Sequence, residues 1–207
     1  MPVERLSFRR ASAHDTDRIA EIVAQDPAPD KIGLAGGNTE TARRLGLAWI
    51  RSARNPATWE RSVVAVADGR TVGVIVSGVD TAFRLNAALV LEGLRVLGPV
   101  SAVRLLPRFL ALRRATPRVP GGSYYIVQIT VDAAQRGRGI GGALLDEAEA
   151  EARTGGYSVM SLITTTVNPA RRLYERHGFR VVETKTDAAY KRYTDVEGRH
   201  LMVKELP

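Results

Sequence analysis

The chain has 207 residues, enough for one domain of ordinary size, and its 30 Lys and Arg against 22 Asp and Glu give a formal net charge of +8. It contains no cysteine, which excludes a disulfide framework, a thiol nucleophile and a thiolate metal site. His14, His177 and His200 are far apart without the spacing of metal ligands, so we expect no metal. The charge favours anionic partners such as nucleotides, nucleic acid or acidic lipid.

The apolar segments of the chain are short. The amino terminus, MPVERLSFRR, lacks the apolar run of a signal peptide, and no later stretch approaches an uninterrupted apolar span of 18 residues. We therefore expect a cytoplasmic protein without a transmembrane segment.

The first elements are a strand and a helix. Residues 5–12 alternate in polarity as a strand does, and 13–26 follow with a helical period. Asp15 or Thr16 is the expected N-cap of that helix. The segment 27–38, rich in Pro and Gly, breaks it.

A second helix and a hairpin follow. Residues 62–78 form two β-rich runs around Asp68-Gly69, the strongest short hairpin signal that a sequence offers. Before them, 39–54 has a helical period. The apolar residues on one side of this helix are Ala42, Leu45, Trp49 and Ile50.

Residues 80–118 differ in composition from the rest of the chain: they are rich in Leu, Val and Ala and contain seven arginines, with a net charge of +5. Gly98-Pro99 divides this insertion into two helical pieces. In the second, Arg104 and Arg108 are four residues apart on one face, opposite an apolar one. Two interpretations stay open: the arginine face is solvated while the apolar face packs on the domain, or the helix lies on a membrane surface.

The remaining elements alternate between strands and helices. The strand 124–131 is apolar on both sides, which indicates a central position in a sheet. The whole order predicts a mixed α/β sheet without internal repeats. The other elements are a helix from the glycine loop to about Arg153 that ends at Gly155-Gly156, a strand at 157–166, a short helix at 168–177 with Pro169 near its N1 position, and strands at 178–185 and 200–206.

The glycine loop between the central strand and the helix predicts an anion site. Glycines at 137, 139, 141 and 142 precede the helix, whose N-terminal amides and macrodipole favour phosphate. A Walker loop is excluded because Ala143 and Leu144 follow the last glycine. The G-x-G-x-G spacing also fails the dinucleotide fingerprint.

The motif that fits is R-x-x-G-x-G, formed by Arg136, Gly139 and Gly141 directly after the strand. With it the sequence resembles the GNAT superfamily of N-acetyltransferases. A second segment, ARRLYERHGF, is similar to the family's A-x-x-L-Y-x-x-x-G-F pattern. The resemblance is strong over 120–184, moderate over 1–78 and absent over 80–118. The matching residues of the second segment are Ala170, Leu173, Tyr174, Gly178 and Phe179.

The resemblance implies a single GNAT-like domain over 1–207, with a mixed, mostly antiparallel sheet of six to seven strands flanked by helices. The helical insertion 80–118 would lie between the third and fourth strands. The implied activity is transfer of an acetyl group from acetyl-CoA to a primary amine, directly in a ternary complex and without a metal.

The family's functional residues carry over to positions in this chain. Tyr174 is implied as the acid that protonates the departing thiolate, a role open to a phenol that is neutral at pH 7. The backbone of Ile129, Thr130 and Val131 would pair with the pantetheine arm. The pyrophosphate would bind the amides of Arg136, Gly137, Arg138, Gly139, Ile140 and Gly141.

Two departures from the family keep a second function open. Asn168 stands one position nearer to Tyr174 than the family's usual Asn, so it either contacts the pantetheine or caps the following helix. Neither central strand carries a carboxylate, which leaves Gln128, the run 164–166, the insertion or the loop 184–195 to supply a base. The alternative to an enzyme is a catalytically weak CoA-binding sensor or regulatory module.

The class of acceptor is inferred from the family resemblance and from the positive charge of the insertion. The resemblance implies that residues 26–60 and the insertion set specificity, and the positive insertion argues against a polycationic acceptor. A small amine that carries a carboxylate, or a protein amine in an acidic context, fits better. Specific nucleic-acid binding is not expected, because aromatic residues do not alternate with the arginines. A homodimer through the insertion stays open.

Overall fold

The structure is a computed structural model that describes residues 6–25, 28–51, 61–79 and 99–207, without the side chains of 48–51, 79 and 99–102. Seven strands and seven α-helices lie in these ranges. The strands are β1 (Ser7–Arg10), β2 (Ser62–Ala67), β3 (Arg70–Val79), β4 (Tyr124–Val131), β5 (Val159–Thr165), β6 (Arg180–Thr186) and β7 (Gly198–Glu205). The helices are α1 (Thr16–Ala24), α2 (Pro29–Leu34), α3 (Thr39–Arg51), α4 (Pro99–Ala115), α5 (Ile140–Thr154), α6 (Arg171–Arg176) and α7 (Ala188–Thr194).

The strands form one sheet in the order β1-β2-β3-β4-β5-β7-β6. The neighbouring strands are antiparallel except β4 and β5, which are parallel. The mixed, mostly antiparallel sheet is therefore confirmed, and β4 has the predicted central position. The last strand, β7, lies between β5 and β6, which brings its N-terminus beside the C-terminus of β5.

The hairpin between β2 and β3 turns at the predicted dipeptide. Asp68 and Gly69 have φ values of +49° and +75°. Two successive residues with positive φ are typical of a type I′ turn, whose twist matches that of the strands. Asp tolerates this region and Gly adopts it without strain, so the local sequence determines the turn.

β4 contains a bulge that changes which way its side chains point. Against β3, Gln128 pairs with Val76 while Ile126 pairs with Ser77, so Val127 is an extra residue. As a result, Ile126 and Ile129 contact the same apolar core, although three residues separate them. Val127 instead contacts the core on the opposite face.

The two faces of the sheet bury different helices. On the first face, α5 and α6 cover the largest apolar cluster, whose most enclosed members include Leu144, Leu145, Met160 and Met202. On the second face, α1 packs Ile19 and Ala20 against β2 and β3. Farther along this face, α4 and α7 share a small cluster.

Two short helices were missed by sequence analysis. The predicted break 27–38 contains α2, which begins with Pro29, a residue with a favourable φ for the first helical position. The predicted loop 184–195 contains α7, whose N-cap Asp187 accepts a hydrogen bond from the Tyr190 amide at 2.8 Å. Helices of six and seven residues are too short to show a clear apolar period.

The insertion differs in part from its prediction. Its second helix begins at Pro99 as expected, whereas the first piece lies outside the described residues. Arg104 is exposed, but the prediction of one solvated arginine face is wrong for Arg108, which stacks 4.7 Å from the centroid of the Tyr193 ring. The ring attracts the guanidinium inward. Among the side chains of this helix from 103 onward, Val103, Leu106 and Leu110 are exposed instead.

The predicted apolar side of α3 agrees with the structure in part. Ala42 is buried and Leu45 is half-buried, but Leu47, which was not predicted, packs on the core of the second face. The side chains of Trp49 and Ile50 lie outside the described residues. None of the helices in the described ranges has both the length and the apolar character that a membrane crossing needs.

Candidate active site

The parallel strands β4 and β5 pair only at their beginning and then separate. Their register covers Tyr124–Ile126 against Met160–Leu162 and ends there. Beyond Ile126, β4 keeps its pairing with β3 up to Val131 but not its pairing with β5. The edge of β4 that includes Ile129, Thr130 and Val131 therefore faces a split in the sheet, where an extended ligand can bind as a strand does.

The glycine loop lies directly after this open edge. Gly137 and Gly139 have φ values of +79° and +82°, in the left-handed region that favours glycine. Gly139 is also the N-cap of α5. These two glycines shape the turn that leads from β4 into the helix.

The other two glycines allow close packing instead. A Cβ atom at Gly141 would lie 3.2 Å from Cδ2 of Leu173, and one at Gly142 would lie 3.2 Å from the His177 ring. Both neighbours belong to α6 or follow it directly. The pair of glycines thus lets α6, with Tyr174, approach the first turn of α5.

The loop presents backbone donors at one place. The amides of Gly142 and Ala143 bond to the Gly139 carbonyl, but those of Gly137, Gly139, Ile140 and Gly141 donate to no other described residue. The first amides of a helix have no acceptor within it, and the dipole adds about half a positive charge there. Exposed residues form the loop from Arg136 to Gly139. The geometry suits a phosphate.

The Arg136 side chain connects the glycine loop to the strand that precedes it. Its Nε donates to the Val131 carbonyl at 3.2 Å, which links the loop to the end of β4. Asp132, next to it, pairs with Arg18 of α1 and accepts from the Ala134 amide at 3.0 Å. The start of the loop is therefore held by both β4 and α1.

Tyr174 lies in the core beneath α6 with 6% of its surface exposed. Its ring meets that of Phe179 edge to face at 6.4 Å between centroids. Burial raises the pKa of its phenol to about 12, so the proton stays on the oxygen at neutral pH. A hydroxyl that keeps its proton can donate it to a thiolate.

Ala170, not Asn168, is the N-cap of α6, so the alternative in which Asn168 caps this helix is wrong. Asn168 instead stabilises the turn that precedes the helix. Its Oδ1 accepts from the Ala170 amide at 2.9 Å, and its Nδ2 donates to Oγ1 of Thr164 at 2.6 Å. Both ends of the side chain are thus engaged within the chain. A contact between Asn168 and the cofactor stays a prediction.

The residues considered as holders of a catalytic water have mixed surroundings. Gln128 donates to Thr130 Oγ1 at 3.1 Å, both on β4. Thr164 and Thr165 are buried, and Oγ1 of Thr166 is enclosed without a partner among the described residues.

His200 is a buried titratable group that sequence analysis did not connect with the site. It lies on β7 opposite Thr164, and its Nδ1 contacts Oγ1 of Thr184 at 2.8 Å. Burial, with a further contribution from Arg171, lowers the pKa of the imidazole, which favours its neutral form. Nothing in the sequence indicated that His200 lies near the site, because no other histidine lies close to it in the chain.

A group of polar side chains on the second face was missed altogether. It brings together α2, the end of α4, β4, α7 and β7 at the edge where β4 and β5 separate. The segments are far apart in the chain, so no local pattern reveals them. We call it the Arg199 cluster, and its members are Asp30, Thr116, Tyr125, Tyr190 and Arg199.

The contacts of the cluster are specific. The fully buried Tyr190 donates its hydroxyl to Oδ2 of Asp30 at 3.1 Å. Asp30, 5% exposed, accepts at Oδ1 from the Lys31 amide at 3.0 Å. Nη1 of Arg199 donates to Oγ1 of Thr116 at 3.1 Å. The cluster thus holds a cation and an anion.

The comparisons with known proteins agree with this geometry. A family model described as the acetyltransferase (GNAT) family matches residues 36–179. No curated protein matches the sequence. In the described part of the chain, no group of three or more His, Cys, Asp or Glu residues could hold a metal ion.

Solved structures share the fold at low identity. An N-acetyltransferase from Staphylococcus aureus Mu50 superposes with a TM-score of 0.63 at 18% identity, covering 95% of this chain and 99% of its own. The PaiA N-acetyltransferase from Thermoplasma acidophilum, in complex with coenzyme A, has a TM-score of 0.58 at 15% identity, with 98% and 99% covered. An agmatine N-acetyltransferase has 0.56 at 18%, with 97% and 99% covered.

Proposed function

Because the chain belongs to the GNAT family of acetyltransferases, we propose that it transfers an acetyl group from acetyl-CoA to a primary amine in a ternary complex. Family membership supports acetyl transfer in general. The observation that carries the proposal is the adjacency of three features: the open edge of β4, the amides of the glycine loop and Tyr174 on α6.

In the proposed complex the cofactor follows these features in order. The pantetheine arm pairs with the backbone of Ile129 to Val131 in the split, replacing the strand partner that β4 lacks there. The pyrophosphate binds the amides between Arg136 and Gly141 at the N-terminus of α5. No metal takes part in this mechanism, because amides and the helix dipole neutralise the phosphates.

The chemistry requires a neutral amine, a polarised thioester carbonyl and an acid for the thiolate. The amine attacks the carbonyl carbon, the C–S bond breaks, and the sulfur takes a proton from the Tyr174 hydroxyl. The proton lost by the amine passes through water to solvent, because β4 and β5 carry no carboxylate. Water then returns a proton to the phenolate, whose high pKa favours its protonated form.

The test is a calorimetric titration of acetyl-CoA into the protein, followed by an amine panel monitored for free thiol. We expect micromolar binding and thiol release with at least one amine. Binding without turnover across a broad panel would favour the CoA sensor. Absence of acetyl-CoA binding would overturn both functions.

A further inference from the structure

We propose that the acceptor amine also carries a carboxylate, and that Arg199 binds it. This inference rests on the proposed function and names the class of acceptor for that same site. It draws on the position of Arg199, on the donors that its guanidinium leaves unused, and on the absence of an ion-pair partner among the described residues.

Arg199 is placed at the mouth of the split by the sheet itself. It pairs across β5 with Thr165, the last residue of that strand. Since β4 and β5 are parallel, the end of β5 lies at the same edge of the sheet as the open end of β4. One to two strand spacings, roughly 5–10 Å, therefore separate Arg199 from the split.

The side chain of Arg199 lies on the second face. There its Nη1 is held by Thr116, whose hydroxyl in turn donates to the Leu112 carbonyl at 2.6 Å. The charge of Arg199 opposes the rise that burial causes in the pKa of both Tyr125 and Tyr190. The hydrogen bond to Thr116 fixes the Nη1 end of the guanidinium at the end of α4.

The donor edge formed by Nε and Nη2 is left without a protein acceptor. Nε of Arg199 is enclosed and has no hydrogen-bond partner among the described residues. A buried donor without an acceptor costs about 1–3 kcal/mol, so the arrangement is incomplete until an oxygen binds there. The edge with Nε and one Nη nitrogen matches the two oxygens of a carboxylate.

The nearby Asp30 does not satisfy this edge. Its two oxygens accept from Tyr190 and from the Lys31 amide, and no described carboxylate lies within ion-pair distance of Arg199. Asp30 instead interacts with the charge of Lys31, which is a second cation near Arg199. A ligand with a carboxylate complements these positive charges, whereas a polycation would meet them unfavourably.

The separation between Arg199 and the split defines the acceptor further. Because the backbone of Arg199 lies roughly 5–10 Å from the split, we expect an acceptor whose carboxylate is well separated from its amine, as in an ω-amino acid rather than an α-amino acid. We therefore expect 5-aminopentanoate to be a better acceptor than pentylamine, which has the same amine and chain length without the carboxylate.

The experiment compares these two acceptors in the wild type, Arg199→Gln and the control Arg113→Gln, which removes the same charge from an exposed position of α4. We expect Arg199→Gln to lower kcat/KM for 5-aminopentanoate by about tenfold or more, and for pentylamine by less than about twofold. The control should change neither. Equal losses for the two acceptors, or a wild-type preference for pentylamine, would overturn the proposal.

A binding measurement separates this proposal from the proposed function. We expect 5-aminopentanoate, but not pentylamine, to shift the ¹⁵Nε resonance of Arg199, assigned with Arg199→Lys, with CoA present or absent. If neither ligand shifts it, only water completes the site and the proposal fails even where acetyl-CoA binds. If Arg199→Gln does not fold, Thr116→Val serves as the second variant. It keeps the side-chain shape but removes the hydroxyl that holds Nη1 of Arg199, so the shift caused by 5-aminopentanoate should be weaker.

Discussion

The cofactor side and the acceptor side of the split are built from the chain in opposite ways. The glycine loop, the open edge of β4 and Tyr174 lie within 124–179, on successive elements. The Arg199 cluster takes its residues from positions 30, 116, 125, 190 and 199. The difference teaches that the proposed reaction depends on neighbouring segments of the chain, whereas the proposed choice of acceptor depends on how distant segments pack. Variants on the two sides should therefore have separable effects.

Gly139→Asp should have the largest effect and should be confined to the cofactor. The substitution strains a residue at φ +82° and places a carboxylate among the amides that receive phosphate. We expect acetyl-CoA affinity to fall by at least about 100-fold in calorimetry. Gly122→Asp is the control, because Gly122 has φ +73° at the opposite end of β4. If the two variants bound acetyl-CoA alike, the loop would not be the phosphate site.

Tyr174→Phe should separate chemistry from binding. Removal of the hydroxyl eliminates the proposed acid, so kcat should fall by about 100-fold or more while the acetyl-CoA Kd stays within about twofold. Tyr157→Phe, in the same apolar core, should leave kcat unchanged. Steady-state kinetics with a saturating amine measure both. Turnover of Tyr174→Phe within about twofold of the parent would remove Tyr174 from the mechanism.

The same residue predicts a pH dependence of stability. Burial raises the folded-state pKa of Tyr174 to about 12, above an unfolded value near 10. The native state then holds its proton more tightly, so this contribution is complete below pH 10 and is lost as the pH rises toward 12. It amounts to about 2–3 kcal/mol. Between pH 10 and 12, the free energy of unfolding measured with denaturant should fall more steeply for the wild type than for Tyr174→Phe. Parallel curves for the two proteins would contradict the raised pKa of Tyr174.

Tyr190→Phe should act on the acceptor side alone. It removes the hydroxyl that donates to the buried Asp30, at a cost of about 1–3 kcal/mol in the free energy of unfolding. We expect a higher KM for the amine with an unchanged acetyl-CoA Kd. Tyr193→Phe, on the same helix, is the matched control. A loss of cofactor affinity in Tyr190→Phe would show that the two sides are not separable.

Asn168→Ala should give the smallest effect. Loss of the hydrogen bond to the Ala170 amide should lower the free energy of unfolding by about 1 kcal/mol. Acetyl-CoA affinity should change by less than about threefold in calorimetry if Asn168 only stabilises this turn. A decrease beyond about tenfold would instead assign Asn168 to the pantetheine site.

The elements that could be predicted from the sequence are those that depend on residues close together in the chain. The hairpin at Asp68-Gly69, the central β4 and the helix after the glycine loop depend on adjacent residues, so they could be found without a structure. The short helix α7 could not, because it owes its stability to packing rather than to its own period. The inward orientation of Arg108 could not be predicted either, because the Tyr193 ring that it contacts belongs to this unpredicted helix.

The candidate site divides in the same way. The residues proposed to bind the cofactor were predicted from motifs, and the split beside them forms because the pairing of β4 with β5 ends at Ile126. Arg199 carries no signal of its own in the sequence, since it is one of many arginines. Only the register with Thr165 and the contact with Thr116 distinguish it from the others.

The bulge at Val127 determines which face of the sheet each later side chain of β4 meets. Val127 lies ahead of the residues at the split, so it sets the phase in which Ile129 and Val131 meet the core while Gln128 and Thr130 meet the other face. If β4 instead paired regularly with β3 through Val127, without the bulge, every later side chain would point to the opposite face, although each residue type is retained. Deletion of Val127 would remove the bulge but leave Ile126 opposite Ser77 and Gln128 opposite Val76, so the later side chains would keep their faces.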